Sequence, residues 1–393
     1  AALAIPRALF ENLGGFDECY APGYYEDADL AMRVRAADYH VYYQPLSRVV
    51  HYEGASAQTS QGSQAPAMKS YQEINREKFA ARWKKIIKDW GVRGEDLEHT
   101  KERWVRRRAL IVDKYMLTPD KESGSVRMSN LVTILQELGF KVTFAAANLE
   151  APEPYVSTLQ GRGVEVLYRP YVRSLKRHLA DAGELYHLVI LSRADAAATF
   201  MAHARRYCPN GRIIFDTVDL HFLREERLAA LTGDAATCRF AAQRRRQELG
   251  LIDQADATLV VSEVELSLLQ QERPSARLHR VSNIHHIASS FGGFEEREDI
   301  LFIGAFSHPP NVDAVRWLAT EIWPLVRGRL PHIRCHVIGA DPPADIESLA
   351  EPSFILHGHV PDVAPFFAGC RLSVAPLRYG AGVKGKINQS LAQ

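Results

Sequence analysis

Gly380-Ala381-Gly382-Val383-Lys384-Gly385-Lys386 has the G-x-x-x-x-G-K spacing with which a glycine-rich loop cradles phosphate groups. In a nucleotide hydrolase the next residue is Ser or Thr, whose hydroxyl holds magnesium; here it is Ile387. Such an enzyme also needs sheet downstream to supply a second metal-holding aspartate, and only seven residues follow Lys386. The hydrolase reading is set aside, but the physics of the loop survives. It follows the apolar run "RLSVAP", its three glycines let backbone N–H groups approach a ligand, and a helix is predicted just after it. A helix start of this kind favours an anion, and Lys384 and Lys386 add two positive charges. The competing reading is a glycine-rich surface turn with solvated lysines.

The elements that must position this loop follow from hydrophobic periodicity. From Arg108 onward, short β-branched apolar runs ("ALIVD", "KVTFAAA", "VEVLY", "LVILS", "RIIFDTV", "ATLVVS") alternate with helix-like segments such as "SVRMSNLVTILQELG". After "RVSN" a second series begins with "ILFIGAF", "IRCHVIG", "FILHG" and "RLSVAP". The pattern predicts an α/β fold of two doubly wound, mostly parallel domains, 106–283 and 284–393, with ligands at the carboxyl ends of the strands. Upstream, residues 1–60 mix turns with a helix-like "EDADLAMRVRAA" and strand-like "HVYYQP" and "SRVVHY". Residues 61–105 hold a spacer, "QGSQAPAM", and an amphipathic helix with Tyr71, Ile74, Phe79, Trp83, Ile86 and Trp90 at helical spacing.

Lys and Arg (48) nearly balance Asp and Glu (47), so no global field attracts nucleic acid. The five cysteines lack metal or disulfide spacing and are read as reduced, buried thiols of a cytoplasmic protein. No apolar run approaches the ~20 residues of a membrane span. A first residue that is not Met and a last stretch that stops inside a helical pattern suggest a chain cut at both ends.

"APLRYGAGVKGKINQSLAQ", with "DILFIGAFSHPPNVDAVRWLATEIWP" and "IRCHVIGADPP" upstream, resembles the C-terminal domain of family 4 GT-B glycosyltransferases of the bacterial polysaccharide and O-antigen type. "VDKYMLTPDKESGSVRMSNLVTILQELGFKVTF" and "DTVDLHFLREERLA" resemble that family's first domain, so the likeness spans residues 106–393. The resemblance implies a GT-B fold of two Rossmann-like domains. It also implies a nucleotide-diphospho-sugar donor, no tightly bound cofactor, and transfer with retention. It puts Gly382, Lys384, Gly385, Lys386 and Gln389 on the donor. Ser123-Gly124-Ser125 would join the first strand to its helix and touch the donor, although an ordinary helix cap by Ser123 explains the same residues. His221 falls at the family's cleft position near the transferred sugar. Many members carry two glutamates eight positions apart; Ala381 and Gln389 occupy those places, and Gln389 retains only the hydrogen-bonding capacity toward a ribose. The family's Arg/Lys pair after the first strand of this domain is absent from "GAFSHPPNVDA", a charge that Lys384 and Lys386 are expected to supply.

"LGGFDECYAPGYYEDADLAMRVRAADYHVYYQPLSRVVHYEGAS" resembles the acceptor half of a family 2 GT-A glycosyltransferase, and "NREKFAARWKKII" the tail that follows it. The resemblance implies that residues 1–60 are the C-terminal remnant of an inverting GT-A α/β domain. In it Asp27 is the base for the acceptor hydroxyl, Glu26 and Asp29 support Asp27 or bind acceptor, and His51 helps hold Mg2+ or Mn2+. The bland account of Glu26, Asp27 and Asp29 is an acidic first turn complementing a helix dipole. The whole is expected to be a piece of a bifunctional glycosyltransferase acting on a growing surface polysaccharide or lipid-linked glycan. Two alternatives are a GT-B-fold nucleotide-sugar epimerase, and a scaffold that binds nucleotide-sugar without turnover. Arg106–Arg108, Arg205–Arg206 and Arg244–Arg246 offer peripheral contact with the inner face of the cytoplasmic membrane, or are solvated helix faces.

Overall fold

The computed structural model describes residues 3–43, 47–50, 68–88, 105–285, 287 and 293–392. The chain divides into two compact units, Ala1–Arg103 and Trp104–Gln393.

In the first unit the helix Glu26–Ala36 carries Glu26, Asp27 and Asp29 in its first turn and Arg33 and Arg35 in its last, matching the helix dipole at both ends. Tyr24 and Tyr25 lead into it with positive φ (72° and 74°), strained for bulky side chains. The helices Met68–Arg82 and Lys84–Ile87 are separated at Trp83. Of the apolar stripe expected there, Tyr71, Phe79, Trp83 and Ile86 are half-buried, with Phe79 against the Tyr25 ring, while Ile74 is exposed and Asn75 is the buried residue between them. The Asn75 side-chain amide donates to the carbonyls of Tyr20 and Gly23, both at 2.8 Å, fixing the turn before the acidic helix. The expected strands in "HVYYQP" and "SRVVHY" do not form among the described residues. Their β-prone side chains find no partner strand, and Tyr42, Tyr43, Val49 and Val50 stand exposed.

In the second unit, β1 (Arg107–Asp113), β2 (Phe140–Ala146), β3 (Glu165–Leu167), β4 (Leu188–Ser192), β5 (Arg212–Asp216), β6 (Ala257–Val260) and β7 (Leu278–Arg280) form a parallel sheet in the order β3-β2-β1-β4-β5-β6-β7. β1 is apolar on both faces because both are covered. Ala109 and Ile111 pack with Met128, Val132 and Phe144 on one side, while Leu110 and Val112 pack with Leu179, Val189 and Phe215 on the other. The covering helix Ser123–Glu137 turns Met128, Leu131, Val132 and Leu135 inward at helical spacing. A second parallel sheet, ordered β10-β9-β8-β11, is built from β8 (Glu298–Ile303), β9 (Cys335–Ile338), β10 (Phe354–Gly358) and β11 (Cys370–Ser373). Phe302, Trp323, Val337 and Phe354 form its core on one face; Leu301, Ile338 and Phe367 lie on the other.

Strand order reverses between β1 and β4 in the first sheet and between β8 and β11 in the second. At such switch points the loops leaving the strands diverge and open a crevice. The loop after β11 is the glycine–lysine run, and the loop after β8 is Gly304–His308.

One expectation needs correcting. Cys208, Cys335 and Cys370 are buried, but Cys19 and Cys238 are exposed, because they lie in a short surface turn and on the outer side of a helix rather than in strands. Three of the arginines proposed for a membrane are paired: Arg205 with Asp256, Arg244 with Asp195, and Arg245 with Glu226 and Glu272. Among the described residues no helix is long and apolar enough to cross a membrane.

Candidate phosphate site between the two sheets

Leaving β11, the chain passes buried Tyr379 and reaches Gly382, whose φ of 67° suits only glycine without strain. The Gly382 N–H crosses to the first sheet's domain and donates to Glu265 Oε1 at 2.9 Å. A Cβ at this position would lie 3.1 Å from Asp219 Cβ. Arg227 donates to the Gly380 carbonyl from the same side. Three residues on, Gly385 opens the helix Gly385–Ala392, and a Cβ there would stand 2.7 Å from both Cβ and Oγ of Ser123. Ser123 itself begins the helix Ser123–Glu137. Two helix N-termini, one from each switch point, therefore abut with their first-turn N–H groups and positive dipole ends together.

Both lysines of the loop are held at this junction and not in bulk solvent. The Lys386 ammonium donates to Asn311 Oδ1 at 2.7 Å and lies 4.0 Å from the centroid of the Phe302 ring. Burial, reinforced by the neighbouring Lys384 charge, pushes Lys386 down to about 7. Lys384 donates to the Ala381 carbonyl at 3.4 Å and is likewise lowered by burial, with Arg227 adding to the effect. Among the described residues neither lysine makes an ion pair. His308 follows from the loop after β8; burial, then Arg224, Lys386 and Lys384, bring it down to about 4 against the pull of Asp219. The junction thus concentrates positive potential, with Asp219 and Glu265 the carboxylates that act on Lys384.

His221 opens the helix His221–Thr232 beyond β5. Its Nε2 lies 3.3 Å from Asp219 Oδ1 and its Nδ1 3.8 Å from Glu248 Oε1. Burial raises Asp219, but the His221 contact and the Arg224 charge, 2.7 Å away, outweigh it and hold the carboxyl well below the usual range. Glu248 is fully buried, which pushes it up to about 8 despite its bond from the Phe222 N–H. Glu265, raised by burial, accepts from the N–H groups of Leu220 and Gly382 and from the Ser262 hydroxyl.

Ser123, Gly124 and Ser125 do not form the loop that was expected. They are the first turn of the helix, and the residue before it, Glu122, takes the cap position. The reason is tertiary: Arg193, at the carboxyl end of β4, binds Glu122 and also Asp113, pinning the helix start. The buried Ser125 hydroxyl donates to Glu122 Oε2 at 3.4 Å. Gln389 is half-buried on the helix that Gly385 opens, and Ala381 is half-buried in the loop.

In the first unit, Asp27 accepts the Ala28 N–H at 2.7 Å, and one Glu26 carboxylate oxygen is buried without a partner. Asp29 is engaged by residues other than Asp27. Its wholly buried carboxylate is occupied by Arg33 (2.7 Å), the Trp83 indole N–H (2.8 Å), Tyr20 and Arg82. His51 lies outside the described residues. No group of three or more His, Cys, Asp or Glu among the described residues is arranged to hold a metal.

Sequence reasoning missed Asp219, Arg227, Glu265, Asn311, His308 and Arg193. Only Glu265 had a local signal, the S-x-x-E spacing from Ser262 that marks a helix start.

Two parallel sheets meeting switch point to switch point, with a cationic glycine loop between them, make the architecture of GT-B glycosyltransferases. Residues 297–393 match the family model described as glycosyl transferases group 1. Among solved structures, TarM of S. aureus superposes with a TM-score of 0.53 and 9% identity over 73% of this chain and 83% of that one, a likeness of fold. S. aureus MnaA in a structure with UDP gives 0.44 and 11% identity over 67% and 71%. WaaG, a glycosyltransferase involved in lipopolysaccharide biosynthesis, gives 0.44 and 15% over 69% and 75%. A search of curated protein sequences finds no match.

Proposed function

We propose that residues 106–393 are a retaining glycosyltransferase module that takes a nucleotide-diphospho-sugar and passes its sugar to a growing surface polysaccharide or lipid-linked glycan. One observation carries the reading: two lysines with no carboxylate partner among the described residues meet at two abutting helix N-termini. Breaking the bond between the sugar and the diphosphate concentrates negative charge on the leaving group. Lys384, Lys386 and the Gly385 N–H are the groups that would meet that charge, with Gly382 setting the turn of the loop through its bond to Glu265. Ser123, Gly124 and Ser125 form the opposing wall, Gln389 is the candidate for the ribose, and His221, oriented by Asp219, faces the transferred sugar.

Residues 1–60 are proposed as the end of an inverting GT-A module. Asp27 is its base, Glu26 and Asp29 support it, and His51 is the candidate partner for a divalent metal.

Calorimetric titration with UDP-, GDP- and ADP-sugars tests the main reading. At least one should bind, and Lys384→Met and Lys386→Met should each weaken it by about ten- to a hundredfold, the ~1.5–3 kcal/mol of a hydrogen bond to a charged group. Absence of binding, or binding indifferent to both lysines, sinks it. The epimerase alternative gains one observation, the carboxylates Asp219 and Glu248 flanking His221. Deuterium entering the donor sugar from heavy water without acceptor would favour it over transfer.

A further inference from the structure

Asn311 lies on the helix Pro309–Trp317, which follows the β8 loop, and is buried. Its amide is oriented at both ends: Nδ2 donates to the Ala305 carbonyl at 2.8 Å, and Oδ1 accepts from Lys386 at 2.7 Å. Gly304 makes room for the pair, since a Cβ there would stand 2.7 Å from the Asn311 amide and 2.8 Å from the Lys386 nitrogen. A buried lysine usually faces a carboxylate, because burying an uncompensated charge is costly. Here the protein offers a neutral oxygen.

The groups around Lys386 make the choice more pointed. From its own loop comes Lys384, from the β8 loop His308, and from beneath the uncharged Phe302 ring. The nearest carboxylates across the cleft, Asp219 and Glu265, act on Lys384, as do Arg224 and Arg227. Among the described residues no carboxylate pairs with Lys386.

We propose that Asn311 is a positioning residue for Lys386: it aims the amine into the cradle with a neutral hydrogen bond, leaving its charge to be completed by the ligand's phosphate, so that binding a nucleoside diphosphate draws a proton onto Lys386. This rests on the donor-binding reading above. It adds that the affinity of the site is tied to proton uptake, and that the tie depends on residue 311 being an amide and not an acid. The apo protein thereby avoids holding a full buried charge, and the site discriminates in favour of a doubly charged diphosphate over neutral sugar alone.

The test is calorimetric titration of the chain with UDP and with GDP at about pH 8, where their terminal phosphates are already ionised. Each titration is run in two buffers of different ionisation enthalpy, so that protons taken up are counted. Wild type should take up close to one proton per nucleotide bound. Asn311→Asp supplies a resident anion, so uptake should vanish and affinity fall about tenfold. Asn311→Ala should lose affinity to a similar degree yet retain the uptake, which a merely structural role for Asn311 would not separate. Lys386→Arg, charged at every accessible pH, should bind without uptake. If Asn311→Asp does not fold by circular dichroism, the Asn311→Ala and Lys386→Arg pair decides the matter. Binding by wild type without proton uptake, uptake persisting in Lys386→Arg, or an Asn311→Asp protein indistinguishable from wild type overturns this inference and leaves the donor-binding reading standing. No binding of either nucleotide by wild type takes down both.

Discussion

Replacing Lys386 by Met separates the stability of the second unit from its chemistry. The ammonium is half-buried against Phe302, with a neutral amide as its hydrogen-bond partner, and burial and Lys384 together bring it from 10.5 to about 7. In the unfolded chain the same amine stays protonated to about pH 10.4. Between those values the unfolded state holds the extra proton, so wild-type stability rises with pH across the window and gains nothing further above it. At pH 7 the buried charge is therefore a destabilising feature. The displacement sets a ceiling of about 4–5 kcal/mol at ~1.36 kcal/mol per unit. Solvent reaching the half-buried group lowers that figure, and the lost hydrogen bond to Asn311 takes away about 1 kcal/mol, leaving a net gain of about 2 kcal/mol for Lys386→Met. Methionine keeps the unbranched stem and its contact with the ring. Urea unfolding of both proteins from about pH 6.5 to about pH 9.5 measures the effect. The variant should be the more stable at neutral pH, and the two curves should converge as pH rises. UDP at one fixed concentration that saturates wild type should stabilise the variant by about 1.5–3 kcal/mol less than wild type. A variant less stable than wild type at pH 7, or a gap that does not narrow with pH, refutes the reasoning.

Gly385→Ala forces a carbon to 2.7 Å from Ser123 Cβ and Oγ, so the two helix N-termini must part. The expected loss is about 1–3 kcal/mol of stability together with weaker UDP binding, read by thermal unfolding and titration. Adding Ser123→Gly, which removes the facing atoms, should restore much of both; a double variant no better than the single would count against the close approach. Glu248, raised to about 8 by burial, keeps its proton in the folded state while the unfolded chain loses it near pH 4.5. Its contribution to stability therefore falls as pH climbs from about 4.5 to about 8, and Glu248→Gln should flatten that slope and melt higher at about pH 8. An unchanged slope would show that Glu248 is ionised. In the first unit, Asp29→Ala strips Arg33 of its ion pair and Trp83 of its acceptor. A loss of about 2–4 kcal/mol in chemical unfolding is expected, and a neutral substitution would mean that the network carries no stability.

What could be read in the sequence was whatever depended on near neighbours. The run "ALIVD" announces a strand covered on both faces because its apolar residues are consecutive, and the Gly380–Lys386 run announces a glycine-rich turn into a helix because the loop is itself contiguous. "HVYYQP" misled for the converse reason: β propensity is a statement about fitting beside another strand, and no neighbour strand is present among the described residues. Ser123 reads locally as a cap, yet Glu122 holds that position because Arg193, 71 residues away, draws its carboxylate. Ser262 and Glu265 read locally as a helix start, which they are, but one Glu265 oxygen also receives the N–H of Gly382, 117 residues on. The lysines show the limit most clearly. A lysine in a sequence looks solvated and already neutralised by the nearly equal number of acids around it. Only the fold shows that the oxygen facing Lys386 belongs to an amide 75 positions back. An interior cation without an acid among the described residues is unfavourable for a protein at rest, and the phosphate of the proposed donor is the anion that would offset it.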